Sequence, residues 1–360
     1  MTAETPAPAR PGKVVVDAAE LRTLVAGVFA ARGARAADAA AVADALVWAN
    51  LRGVDSHGVS RVARYLELFD KGESVAAAEV TVTRPRAAIA IVDAHAAPGP
   101  VAMNRAADEA IAGARECGIG WASVRGTVHT GAIGYYASRI ADAGMAAVGV
   151  VAGVPNMAYA GAKGAAVATS PLAVAVPAGR HDLVLLDMAT AVIALGKITQ
   201  YRNQGKELPP GVAVTKDGTP TTDPELAAIP LPLGGAKGSG MSLVFELLTS
   251  VLAGNAIVSA FHGDQPDGKR HRQNAALLAL DVSALAPLDE FRRAVDETLD
   301  TVKSLPRLDD DQEIRFPGER GARSEAARRS GGIPLPKKLW ESLLAEADRL
   351  GIETPRLEPA

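Results

Sequence analysis

Between Asn50 and Tyr65 the chain reads N-L-R-G-V-D-S-H-G-V-S-R-V-A-R-Y, placing an acid, a hydroxyl, an imidazole, guanidiniums and a phenol within a few turns of backbone. Gly53 can end the preceding Ala-rich helix, because glycine takes the left-handed conformation that helix C-termini favour. Asp55 or Ser56 can cap the next helix by accepting from its free amides. A helix from about Ser56 would set His57, Arg61 and Tyr65 at i, i+4 and i+8 on one face. Val62, Leu66 and Phe69 would form a separate apolar face. A cation, a titratable base and a phenol near a helix start suit a small substrate that carries a carboxylate. The same spacing also describes an amphipathic helix with a cap and a wet polar face, and spacing alone does not separate the two.

Three further places could do chemistry. His129 sits in the Gly-flanked loop H-T-G-A-I-G-Y-Y, between an expected strand and an expected helix. An imidazole near its solution pKa can take or give a proton at neutral pH; the residue fits a polar helix-cap region equally well. Asp187 ends the apolar run Leu183–Leu186. A carboxylate at a strand's C-terminal end is well placed at a ligand crevice, to orient an imidazole or bind a ribose hydroxyl, and it would also cap a following helix. The turn Gly234-Gly-Ala-Lys-Gly-Ser-Gly240 opens an apolar helix. Its bare backbone amides, the helix start and the Lys237 charge could hold an anion, or the turn could be a flexible connection.

Other chemistries lack their residues. There is no G-x-G-x-x-G after a strand and no G-x-x-x-x-G-K-[ST], so neither a Rossmann nor a P-loop site is supported. No H-E-x-x-H or G-x-S-x-G occurs, and His95, His181, His262 and His271 show no metal-ligand spacing. Cys117 is the single cysteine, which excludes an internal disulfide.

The elements that must position these groups follow from periodicity. Two helices are expected over Asp17–Leu51, then strands at Val80–Thr83 and Ala88–Val92 and a helix from Pro100 to Cys117. Strands are expected at Ile119–Val124, Ala146–Ala152, Leu172–Val176, Leu183–Leu186 and Ala275–Val282. Helices are expected at Ala132–Ala143, Ala191–Gln204, Met241–Leu252, Asp289–Val302 and Pro336–Leu350. Gly263–Arg272 reads as a charged surface loop or lid. Strands and helices alternate without strict βαβ spacing, which predicts an α/β fold with a mixed sheet. At 360 residues, with 48% hydrophobic and 22% charged residues, the chain is ordinary for a globular enzyme of two domains. A net charge of −3 advertises neither nucleic acid nor an acidic membrane. No apolar run reaches membrane-spanning length and no signal pattern opens the chain, so the cytoplasm is the expected location.

The motifs form a pattern in order. D-S-H-G-V-x-R (Asp55–Arg61), H-T-G-x-x-G-Y-Y (His129–Tyr136), T-S-P-L-A (Thr169–Ala173), L-D-M-A-T (Leu186–Thr190), L-G-K-I (Leu195–Ile198), L-P-L-G-G-x-K-G-x-G (Leu231–Gly240) and F-P-G-E (Phe316–Glu319) together resemble the malate/L-lactate dehydrogenase family. This non-Rossmann group also holds ureidoglycolate and sulfolactate dehydrogenases, diketogulonate reductase and cyclic imino-acid reductases. The resemblance runs from about Val14 to Gly351. It implies NAD or NADP as hydride carrier and a homodimer or a multiple of one. The Pro- and Ala-rich start predicts a disordered tail over 1–13, and the resemblance implies an NAD(P)-binding domain over 131–274 and a substrate and dimerisation domain built from 14–130 and 275–352.

On that pattern His129 is the general acid–base, with His57 competing for the role. Ser56, Arg61 and Tyr65 lie near the substrate carboxylate. Asp187, Met188 and Ala189, Lys237 and Gly238, and the turn Pro317, Gly318 and Glu319 touch the cofactor. The chain departs from the family around the site, at Val128–Gly131 and Val154–Gly161, so substrate identity is the least transferable property. The expected activity is hydride transfer between nicotinamide and a small 2-hydroxy or 2-oxo acid. Reduction of a cyclic C=N bond is the near alternative, and a non-catalytic ligand-binding protein is the alternative of another class.

Overall fold

The computed structural model describes residues 12–354; the tail expected over 1–13 lies, up to residue 11, outside them. The chain opens with β1 (Lys13–Val16), α1 (Ala18–Ala31) and α2 (Ala36–Leu51), then two 3₁₀ turns (Asp55–His57 and Val59–Arg61) and α3 (Val62–Asp70). Next come β2 (Thr81–Arg86), β3 (Ile89–Asp93), α4 (Gly99–Cys117), β4 (Ile119–Thr127), α5 (Gly134–Asp142), β5 (Met145–Gly153), β6 (Leu172–Val176) and β7 (Val184–Met188). They are followed by α6 (Leu195–Asn203), β8 (Ala213–Val214), β9 (Ile229–Pro230), α7 (Ala236–Glu246), α8 (Val258–His262), β10 (Gln273–Asp281) and α9 (Leu288–Lys303). The chain closes with α10 (Glu319–Gly331), β11 (Ile333–Pro336) and α11 (Lys337–Arg349).

These elements fall into two compact units, one spanning 78–317 and the other built from both chain ends, up to 77 and from 318 onward. In the end-built unit, β1 pairs antiparallel with β11, joining Val16 to Ile333. Asp17 caps α1 by accepting from the Ala19 and Glu20 amides, as a short side-chain oxygen at that position does. Leu21, Leu24, Phe29, Leu46 and Trp340 are buried in its core. Neither β1, β11 nor α10 is marked by periodicity, since the strands are four residues long and α10 is largely charged.

The other unit carries a seven-stranded sheet in the order β2-β3-β4-β10-β5-β6-β7. Only β3 and β4 run parallel; every other neighbouring pair is antiparallel. The sheet is therefore mixed, as expected. The parallel pair is joined by α4, because parallel neighbours need a crossover. α4 lies close on β4: a Cβ at Gly120 would meet the Ala110 carbonyl oxygen at 2.0 Å, so that contact exists only for glycine. Gly118, with φ +79°, ends α4 in the left-handed conformation and turns the chain into β4.

The expected domain borders, 130/131 and 274/275, fall inside this unit. β10 pairs with β4 on one side and β5 on the other along nearly its whole length, so a cut there would sever the sheet, and the compact units divide at 77/78 and 317/318 instead. No helix of the described residues is long and apolar enough to cross a membrane.

Candidate active site

The single helix expected from Ser56 to Tyr65 is absent. Two 3₁₀ turns replace its first part, and Gly58, at ψ −152°, breaks the path between them. The cause is Asn50. Its buried amide accepts from the Val59 N–H at 2.8 Å and donates to Asp55 Oδ1 at 2.8 Å, taking over contacts a helix would make with its own backbone. A Cβ at Gly58 would lie 2.1 Å from Asn50 Oδ1, so only glycine permits this arrangement. Arg328 of α10 braces it from the other side, donating to Asp55 Oδ1 at 2.7 Å.

Within this knot, Ser56 Oγ lies 3.0 Å from His57 Nδ1 and Arg61 Nε donates to the Ser56 carbonyl oxygen at 2.6 Å. His57 is half-buried. Burial first, and the Arg61 charge second, lower its pKa to about 4, so it is neutral at pH 7. Burial also lowers the Arg61 pKa, though a guanidinium stays charged at any ordinary pH. Tyr65 lies apart from the expected wet face. It is buried against Phe29, with ring centroids 6.2 Å apart, and burial raises its pKa while the Arg61 charge opposes the rise. At the opening of α10, Gly318 (φ +96°) accepts from Arg52 Nη2 at 3.0 Å through its carbonyl, and buried Glu319 pairs with Arg323 at 2.5 Å.

In the sheet unit, His129 is half-buried in a loop that is fixed on both sides. Thr130, its neighbour, donates to Gln273 Oε1 from its amide at 2.8 Å and from its hydroxyl at 3.1 Å. The Tyr136 hydroxyl donates to the Thr130 carbonyl oxygen at 2.6 Å. Behind the loop, a Cβ at Gly99 would sit 2.1 Å from the His129 carbonyl oxygen, so the missing side chain lets the loop rest on the start of α4. Gln273 and Gly99 carry no motif signal; they are far from His129 in sequence and reach it only through the fold.

Asp187 is exposed at the end of β7, and its Oδ2 accepts from the Gly134 amide at 2.9 Å. It thus caps the start of α5, the helix that follows the His129 loop. The helix it could have capped next in sequence starts only at Leu195. Met188 and Ala189 follow, half-buried. Thr190 then binds the glycine turn, its carbonyl accepting from the Leu233 amide at 2.8 Å. A Cβ at Gly238 would lie 2.4 Å from that same carbonyl oxygen. Lys237 stands exposed in the first turn of α7. Pro317, at the far end of this unit, accepts from the Leu185 amide of β7 at 2.9 Å.

These residues suit a dinucleotide. The Thr190 hydroxyl is buried and has no hydrogen-bond partner among the described residues. A cleft of about 500 Å³ at the glycine turn is lined by Ala158–Gly164, Val192, Leu231, Pro232, Gly234 and Gly235, among others. The positive end of a helix with a lysine beside it favours an anion such as phosphate. The sheet unit therefore joins His129, Asp187, Met188, Ala189, Lys237, Gly238 and Pro317 in one connected set, and the end-built unit joins Ser56, His57 and Arg61 in another.

A mixed, non-Rossmann sheet with a fixed imidazole loop, a strand-end carboxylate and a glycine-rich helix start carrying a lysine suits a dinucleotide-dependent oxidoreductase. The family model described as malate/L-lactate dehydrogenase matches residues 16–344, and the chain belongs to that family. Malate dehydrogenase from Pyrococcus horikoshii is 32% identical over 343 residues, covering 92% of this chain and 94% of the relative. L-sulfolactate dehydrogenase from Methanothermobacter thermautotrophicus is 33% identical over 313 residues, covering 86% and 90%. The solved structure of delta1-piperideine-2-carboxylate reductase from Pseudomonas syringae pvar. tomato matches with a TM-score of 0.83 at 26% identity, covering 93% of this chain and all of that one. The chain is an NAD(P)-dependent oxidoreductase that moves a hydride between nicotinamide and a small 2-hydroxy or 2-oxo acid.

Proposed function

We propose that the chain interconverts a 2-hydroxy acid of the malate or sulfolactate kind and its 2-oxo acid, with His129 as the general acid–base. The fastening of the His129 loop by Gln273 and Tyr136 carries this reading, because proton transfer demands a base held within hydrogen-bond reach of the reacting oxygen. His129 accepts the hydroxyl proton when the alcohol is oxidised and returns it when the oxo acid is reduced. On the end-built unit, Ser56, Arg61 and Tyr65 are assigned to binding a substrate carboxylate, with Arg61 as the cation. His57, neutral at pH 7, contributes a hydrogen bond there rather than a stored proton. Asp187 orients the His129 segment through Gly134 and, with Met188, Ala189, Lys237, Gly238 and the Pro317–Glu319 turn, binds the cofactor. The nicotinamide supplies or takes the hydride, and the protein supplies its orientation.

Kinetics test this directly. Malate, sulfolactate and lactate are oxidised with NAD or NADP by the wild-type chain, His129→Gln and His57→Gln. His129→Gln is expected to lose about 10²- to 10⁴-fold in kcat, the usual worth of a general acid–base, and His57→Gln much less. The reverse order would move the role to His57. A second reading, reduction of a cyclic C=N bond, draws on the likeness to the piperideine-carboxylate reductase; NADPH consumption with that imine and not with oxo acids would establish it.

A homodimer in the cytoplasm belongs to the same reading. Val244, Leu247, Leu248, Val251 and Leu252 leave an exposed apolar stripe that a second copy would cover. Light scattering of the purified chain measures the dimer.

A further inference from the structure

A small pocket at one end of β5 and β10 is lined by Asn156, Thr169, Ser170, His271, Arg272 and Gln273, among others, and holds about 230 Å³. Its volume suits a carboxylate or sulfonate with one or two carbons, not a ring system. It adjoins the His129 loop through a shared side chain: Gln273, which lines it, is the group that accepts from both donors of Thr130. Gly153, on the opposite wall, keeps the space open, since a Cβ there would crowd Gln273 Cγ at 3.2 Å.

Arg272 is the charged residue of this wall, and its bonding is incomplete. Its Nε is buried with no hydrogen-bond partner among the described residues. Its terminal nitrogens reach only neutral oxygens, Asn255 Oδ1 at 3.4 Å and the Ala256 carbonyl at 3.3 Å. Charged donors usually sit about 2.7–2.9 Å from a charged acceptor. The neighbouring cations of the same loop are paired, Lys269 with Asp264 at 3.2 Å and Arg270 with Asp267 at 3.4 Å. Arg272 has no carboxylate partner among the described residues. A guanidinium so placed is available to an anion from outside the chain.

We propose that Arg272 binds a second acidic group of the substrate, so that this pocket separates diacids, such as malate or sulfolactate, from mono-acids such as lactate. The inference rests on the reading that His129 serves the reacting oxygen, one residue from the Thr130 anchor. Arg272 takes the acidic group remote from the reacting carbon. Asn156, Thr169 and Ser170 supply the polar surroundings that a small anion needs.

Two measurements on the full chain test it. In the first, kcat/KM is compared for malate, sulfolactate and lactate in the wild type, Arg272→Gln and Arg272→Lys. Arg272→Gln is expected to lose about 10- to 100-fold on the two diacids and less than about threefold on lactate, with Arg272→Lys between. An equal loss on all three substrates, or no loss on malate, overturns the proposal. In the second, succinate and propionate, which carry no hydroxyl to oxidise, are titrated calorimetrically against the NADH-loaded protein. Succinate is expected to bind the wild type more tightly than propionate, and Arg272→Gln to erase the difference. Equal binding by the wild type overturns the proposal whatever the catalytic result. Failure of the His129 reading shows separately, as full turnover by His129→Gln with the succinate preference intact.

Discussion

The Gly134 amide donates to Asp187 Oδ2 at 2.9 Å, which ties the first turn of α5 to the exposed end of β7. A Cβ at Gly134 would lie 2.7 Å from that oxygen, so the contact needs glycine on one side and a short acceptor on the other. One carboxylate thus closes a helix start from the exposed end of a strand. Asp187→Ala removes the cap and is expected to cost about 1 kcal/mol, within the range for lost N-terminal caps. Asp187→Asn keeps an acceptor for Gly134 and is expected to hold stability near the wild type. Both variants should weaken NADH binding in a fluorescence titration. Wild-type affinity in Asp187→Asn would confine the residue to capping.

Gln273 gives a second prediction. Its Oε1 alone receives both Thr130 donors, so Gln273→Leu frees the loop on one side and leaves those donors unmatched. A shift of about 1 Å in a reacting group can cost on the order of 100-fold in rate. Gln273→Leu is therefore expected to lower kcat by about 10- to 100-fold while NADH affinity stays within about twofold. Gln273→Glu keeps an acceptor at the same reach and should recover much of the rate. If Leu and Glu behave alike, the hydrogen bonds to Thr130 do not position His129.

These two contacts mark where the sequence stopped being readable. The strand β6 and the helix pair α1 and α2 follow from local apolar spacing, and the mixed sheet from the loose alternation of elements. The His129 loop and the glycine turn were marked by glycine density around a chemical side chain. Gln273, Gly99 and Asn50 gave no such mark, since their role depends on partners brought close only by folding. The helix expected at Ser56 failed for the same reason. Its local pattern is helical, but the Asn50 side chain competes for the Val59 amide, and Gly58 makes room for it. Charge-rich α10 carries no apolar periodicity, and Ser324 and Arg328 fasten it to Leu51 and Asp55.

The pKa of His57 sets a pH dependence of stability. Folding lowers it from 6.5 to about 4, chiefly through burial. The unfolded chain therefore binds a proton first as pH falls. The stabilising contribution of the neutral imidazole is fully present above pH 6.5 and is lost as pH drops from there toward 4. His57→Gln, neutral throughout, should flatten the melting-temperature curve in that window. The depressed carboxylate of Glu67, held near 2 by Lys71 and Arg64, acts only below about 4.5 and does not interfere. Activity should separate the two histidines: a pH limb in kcat that survives His57→Gln does not come from His57. If that limb vanishes in His57→Gln, the proton is handled at His57.

Lys237 tests the anion cradle. It is exposed in the first turn of α7, where the positive end of the helix already favours negative charge. Its contribution to dinucleotide binding should be mostly coulombic, and so should weaken with salt. Lys237→Gln is expected to raise the Kd of NADH about tenfold at low ionic strength, with a smaller ratio near 0.5 M salt. Gly238→Ala should act differently, because its Cβ would collide with the Thr190 carbonyl oxygen at 2.4 Å and push the turn away from the end of β7. That variant should lose affinity equally at every salt concentration and lower the melting temperature, which Lys237→Gln should not. A salt-independent loss in Lys237→Gln would mean that the lysine shapes the turn instead of holding phosphate.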